Sequence, residues 1–137
     1  MFYRPNIDPH NLPHNPFKAM VAPRPIGWIS AVDAKGRVNL APYSFFNALA
    51  DNPPMVMFSN TGSKTDRERG KDSVSAIRET GEFAVNIVAS ALKDAMNTTS
   101  GPYDAETDEF EKASLEKAEC RLITPPRVAT APGAFEC

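Results

Sequence analysis

Cysteine, histidine and an excess of charge of either sign are all scarce in this chain, and each scarcity removes a class of function. The 2 cysteines, Cys120 and Cys137, sit in no CxxC or metal-ligand spacing, so ordinary reduced thiols are expected in place of a disulfide framework or zinc site. The 2 histidines, His10 and His14, have Pro13 between them and no accompanying glutamate motif; they read as surface polar residues, and no metal is expected. With 15 basic and 17 acidic residues well mixed and a net charge of −2, there is no electrostatic footprint for nucleic acid and no polybasic membrane patch. No run is apolar enough, for long enough, to span a bilayer, and the start lacks a basic-then-hydrophobic secretory pattern, which points to a cytoplasmic protein. GxSxG, GxGxxG and P-loop motifs are missing, as are a Cys-His pair and paired carboxylates. No catalytic side chain is therefore singled out, and a cofactor is expected to carry any hard chemistry.

What is present fits one domain over residues 1–137, since 137 residues at 42% hydrophobic can bury a single core. Prolines 5, 9, 13, 16, 23 and 25 forbid a long helix or central strand near the start, so residues 1–22 read as an arm draped over a surface. Ile26, Trp28 and Val32, spaced by Gly27, Ser30 and Ala31, then read as a strand. Asp33 to Gly36 make a turn in which Gly36 takes positive φ, so Val38 to Ala41 should return antiparallel. The continuous apolar run Met55 to Phe58 predicts a strand buried on both faces. Asp72 or Ser73 supplies N-cap chemistry to a helix carrying Val74 and Ile77, with Gly81 where a C-terminal cap belongs. Phe83, Val85 and Ile87 mark a further strand, and Ser90 is placed as the cap of a short helix reaching about Met96. The acidic stretch from Asn97 to Lys117 reads equally as a lid over a site or as a solvated excursion. Ala134 to Cys137 look like the opening of a strand.

The hairpin continues into Asn39-Leu40-Ala41-Pro42-Tyr43-Ser44-Phe45-Phe46-Asn47. After it come Asp51-Asn52-Pro53-Pro54, then Lys71-Asp72-Ser73, then Thr80-Gly81-Glu82-Phe83-Ala84-Val85-Asn86. In this order and spacing the segments resemble the flavin reductase-like, FMN-binding split-barrel family. The resemblance implies a mainly β fold with some α, an FMN-binding split β-barrel, to which members usually add strands after the point where this chain stops. It implies FMN as cofactor and NADH or NADPH as electron donor, with hydride passing to N5 of the flavin. It further implies a homodimer with the flavin at the interface, and a flavin-dependent monooxygenase or another acceptor as partner. An FMN-carrying electron-transfer protein of the flavoredoxin kind, without efficient nicotinamide oxidation, is the alternative.

An FMN site has to satisfy a dianionic phosphate, a ribityl chain and the polar edge of an apolar ring. Lys71 and Ser73, at the start of the Val74 helix, offer charge, a hydroxyl and a positive helix end to the phosphate; a plain N-cap is the competing role. Ser44 and Asn47, flanked by Tyr43, Phe45 and Phe46, are candidates for the flavin's polar edge, with Ser59 and Asn60 joining from an adjacent strand end. Trp28 and Ser30 read either as core anchors or as cofactor contacts, because the resemblance lays their strand against the flavin. Asn86 carries only a weak site claim.

Overall fold

The structure, a computed structural model, describes residues 2–5, 7–60 and 72–137. Its elements in chain order are α1 (Pro16–Met20), β1 (Gly27–Val32), β2 (Val38–Tyr43), β3 (Phe46–Asp51), β4 (Pro54–Phe58), α2 (Asp72–Thr80), β5 (Ala84–Asn86), a 3-10 turn (Ser90–Leu92), α3 (Lys93–Thr98), α4 (Glu109–Lys112), β6 (Lys117–Ala118), β7 (Arg127–Val128) and β8 (Ala134–Glu136).

The expected hairpin forms, with β1 and β2 antiparallel from Gly27 opposite Tyr43 to Val32 opposite Val38. Its loop is set by Asp33, whose carboxylate accepts from the Lys35 and Arg37 backbone N–H groups at 2.9 Å each. Gly36 has φ of +81°, a conformation that a β-carbon would oppose by roughly 1–2 kcal/mol. Strands β5 and β8 extend the sheet antiparallel in the order β2-β1-β5-β8. Because β1 lies inside this sheet and both its faces are covered, all of its residues are buried.

The period of two along β1 sends neighbouring side chains into two separate cores. Trp28 packs with Leu40, Phe110 and Val128 on one face, roofed by Leu92, Met96 and Leu115. Ile29 packs with Tyr43 and Val85 on the other, against Phe46, Val56 and Phe58 of the β3–β4 ribbon and Ile77 of α2. The sheets do not close on themselves, and the arrangement is a mainly β split barrel. Gly27 makes one packing contact possible: a β-carbon there would stand 2.6 Å from Cδ2 and 2.8 Å from Cγ of Phe46.

Several expectations change once the elements are assembled. The Met55 to Phe58 strand is buried on one face only, since β3 and β4 form a two-stranded ribbon that covers the sheet and turns Met55 and Met57 outward at 43% and 51% exposure. Helix α2 runs from Asp72 to Thr80, and the Gly81 N–H donates to the Ile77 carbonyl at 2.8 Å as its cap. The Ser90 side chain makes no capping bond; the 3-10 turn starts from extended Ala89. The acidic stretch is neither wholly lid nor wholly solvated. Asp108 caps α4 by accepting from the Phe110 N–H at 2.9 Å, and Glu109 and Phe110 are buried against β2 and β1. Among the described residues, no helix is long and apolar enough to cross a membrane.

Candidate functional site

A cleft of 340 Å³ opens where the arm, the bend after β2 and the β3–β4 ribbon meet, lined by Val21, Pro23, Arg24, Pro25, Ser44, Phe45, Phe46, Asn47, Met57, Phe58 and Ser59. That volume falls in the range of about 300–1,000 Å³ usual for small-molecule sites. Its geometry follows from local chemistry. The Ser59 N–H donates to the Phe45 carbonyl at 2.8 Å, which draws the end of β4 up to the bend and sets Ser59 near Ser44. Asn47 lies opposite Met57 in the ribbon, on the face turned away from the core. The Phe45 ring stacks on Phe17 of the arm with centroids 6.4 Å apart and planes 14° from parallel, and the Arg24 guanidinium sits 5.5 Å from the same ring.

The cleft is apolar at its rings and polar at four side chains. Among the described residues, the hydroxyls of Ser44 and Ser59 and the amide of Asn47 have no hydrogen-bond partner in the protein. This separates them from the other polar candidates. Trp28 is fully buried in the core, and its indole N–H donates to the Thr99 hydroxyl at 2.9 Å. Ser30 is fully buried too; its hydroxyl donates to the Pro126 carbonyl at 2.6 Å and accepts from the Asn86 amide at 3.2 Å. Asn86 joins three strands: it donates to the Trp28 carbonyl at 3.0 Å and accepts from the Val128 N–H at 2.7 Å. Asn60 follows Ser59, is half-buried and has a partner of its own.

Ser73 lines a different cleft, of 320 Å³, together with Asn39, Tyr43, Asp72, Glu109 and the turn from Thr99 to Pro102. The two clefts share no lining residue. Ser73 stands inside the first turn of α2, buried, with its hydroxyl donated to the Asn39 side-chain oxygen. The Asn39 amide donates in turn to Glu109 at 2.8 Å, and the Leu40 N–H reaches the second Glu109 oxygen at 3.0 Å. Burial raises the Glu109 carboxyl above its ordinary range, outweighing the Leu40 bond that acts the other way. Burial likewise raises the Tyr43 phenol, with its hydrogen-bond contact to Ser73 opposing the shift. Lys71, the other residue read as a phosphate contact, lies outside the described residues. Among the described residues, no group of His, Cys, Asp or Glu is arranged to hold a metal ion.

Two residues of these clefts were passed over in the sequence. Arg24 stands between Pro23 and Pro25, whose fixed φ pins the chain on both sides of a cation, and that was the available signal. Glu109 was hidden in an acidic run, although Asp108 followed by an aromatic residue is a helix-start pattern.

The flavin reductase like domain matches residues 20–137. An uncharacterized protein of Aquifex aeolicus is 40% identical over 118 residues, covering 86% of this chain and 59% of that one. The crystal structure of nitrilotriacetate monooxygenase component B from Bacillus cereus superposes with a TM-score of 0.86 at 31% identity, over 100% of this chain and 66% of that one. The structure of a 2-nitrobenzoate 2-nitroreductase from Pseudomonas fluorescens superposes with a TM-score of 0.72 at 29% identity, over 85% and 54%. The chain thus spans only part of its relatives, little more than half of the curated ones. By the domain match and by these likenesses, the chain belongs to the flavin reductase-like family of split-barrel proteins.

Proposed function

We propose that the protein binds FMN in the cleft between the arm and the β3–β4 ribbon and acts as an NADH- or NADPH-dependent flavin reductase, supplying reduced flavin to a monooxygenase. The observation that carries this reading is the set of uncommitted polar groups on Ser44, Asn47 and Ser59 beside the rings of Phe45, Phe46 and Phe58. A flavin needs that combination: an apolar surface for the ring system and hydrogen-bonding groups for its polar edge and ribityl hydroxyls. Ser44 and Asn47 bind and orient the polar edge, Ser59 and Asn60 meet the ribityl side, and Phe45 and Phe46 exclude water from the ring. Trp28 and Ser30 act from behind, by fixing β1 and hence the strands that carry the cleft.

A bound flavin supplies two-electron chemistry, accepting hydride from a nicotinamide and releasing electrons onward. The protein needs no catalytic acid or base for that step, which agrees with the lack of any such constellation in the sequence. The flavin reductase like domain match supports the reductase role, and the similarity to a monooxygenase component B at 31% identity supports the link to a monooxygenase. Leu49, Met55 and Met57 leave an apolar strip on the outer face of the ribbon beside the cleft, which supports a homodimer sharing the site. The lack of any membrane-crossing helix among the described residues is compatible with work in the cytoplasm.

The test is a visible spectrum of the purified, FMN-loaded protein before and after anaerobic addition of NADH or NADPH. Rapid loss of the yellow flavin absorbance is the expected result. Colour that persists with both donors, yet bleaches with a chemical reductant, would make the protein an electron carrier instead.

A further inference from the structure

Arg24 is a cation with no counter-ion among the described residues. Among the described residues no carboxylate pairs with it, whereas Arg4 pairs with Asp8 and Arg37 with both Asp33 and Glu106. Among the described residues, its side-chain hydrogen bonds run from Nη1 to the Lys18 carbonyl, at 2.7 Å, and to the Val21 carbonyl, at the end of α1. A guanidinium has five N–H donors in a rigid fork. With Nη1 held by the arm and Nε shielded from solvent, Nη2 is the nitrogen left to meet a carboxylate or phosphate at the cleft. Nε is shielded from solvent and has no acceptor among the described residues, an arrangement that costs free energy.

The setting makes the group a binding element. Arg24 lines the same cleft as Ser44, Asn47 and Ser59. It is held in place by the Lys18 and Val21 carbonyls, by the Phe45 ring beneath it and by the prolines on either side. A cation already ordered in this way loses little side-chain entropy on binding. The second cleft is the poorer place for an anion, because Asp72 and Glu109 line it and the Ser73 hydroxyl is donated to Asn39.

We infer that Arg24 is the anion-recognising residue of the Ser44 cleft and that the group it takes is a phosphate monoester. The inference rests on the flavin reading of that cleft and gives it a phosphate end, a role the sequence had pointed to at Lys71 and Ser73. Such a phosphate has two sources, the 5′-phosphate of FMN and the 2′-phosphate of NADPH.

The experiment measures dissociation constants of the purified protein for FMN and riboflavin by flavin fluorescence, and KM for NADPH and NADH, in wild type, Arg24→Gln and Arg24→Lys. Loss of a charge-assisted contact is expected to weaken the phosphorylated ligand about ten- to a hundredfold and leave its unphosphorylated counterpart nearly unchanged. A loss confined to FMN against riboflavin assigns the flavin phosphate. A loss confined to NADPH against NADH assigns the dinucleotide. Arg24→Lys, which keeps the charge without the fork, should fall between wild type and Arg24→Gln. Equal losses within both pairs, or none, would overturn the assignment. Should Arg24→Gln fail to fold because α1 comes loose, wild type still decides: no preference for either phosphorylated ligand over its counterpart overturns the inference. A wild-type protein that binds neither flavin would contradict the flavin reading itself.

Discussion

Ser30, Ser73, Asn86 and Glu109 show how polar residues on buried faces of this fold are satisfied by one another and by the backbone, leaving, among the described residues of the Ser44 cleft, Ser44, Asn47 and Ser59 available to a ligand beside Arg24. Sequence alone does not separate the two sets, because a serine on a strand reads the same whether it faces a core carbonyl or a cleft. Only the partner, often dozens of residues away, decides it: Ser30 meets Pro126, and Asn86 meets Val128. Glu109 permits a test at this scale. Its carboxyl is raised in the folded state by burial, so the folded protein holds this proton at pH values where the unfolded chain has released it. The stability that Glu109 contributes is therefore fully present below the ordinary glutamate value of 4.5 and is lost as pH rises through the raised folded value. Urea denaturation of wild type and Glu109→Gln across the acidic to neutral range should show the wild-type advantage shrinking as pH rises. An advantage that is constant with pH would mean that Glu109 titrates as an exposed residue does.

At the scale of elements, β1 and the β3–β4 ribbon meet at Gly27, and the site depends on that meeting. A β-carbon at Gly27 would collide with the inner atoms of the Phe46 side chain, which cannot swing aside without moving β3. Gly27→Ala should cost about 1–3 kcal/mol in chemical denaturation, the usual range for overpacking, and should weaken flavin binding because Phe46 and Asn47 move together. Unchanged stability and binding would show that the ribbon shifts freely on the sheet. The elements themselves were largely legible beforehand. The Asp33 to Gly36 turn and the Gly81 cap are local signals, governed by φ preference and side-chain capping, whereas Asp72 and Ser73, read as N-cap residues, stand inside α2 and Ser73 turns its hydroxyl to Asn39. The outward face of β4 was not legible, since Met55 and Met57 are as apolar as any core residue and only the ribbon's position leaves them uncovered. Nor was the docking of α4, which a single buried aromatic, Phe110, and one buried carboxylate bring about within an acidic surface stretch.

For the molecule as a whole, the sheet divides two cores, and the candidate site lies at the rim of the one that Ile29, Tyr43 and Val85 share with the ribbon. Four segments along the sequence were enough to point to the family, because the Asn39 to Asn47 run carries both the second strand of the hairpin and the polar side chains of the cleft. The division of the candidate residues between two clefts and the core was out of reach, since it depends on how the arm, α2 and the ribbon come together. The central claim is that the flavin occupies the Ser44 cleft. Its most direct test is a crystal structure of the purified protein grown with FMN. The account predicts the flavin between the arm and the β3–β4 ribbon, within hydrogen-bonding reach of Ser44 and Asn47, its phosphate on Arg24 if that group takes the flavin's phosphate, at an interface between two copies that covers Leu49 and Met57. A flavin found instead in the cleft of Ser73, Glu109 and Gly101 would contradict it.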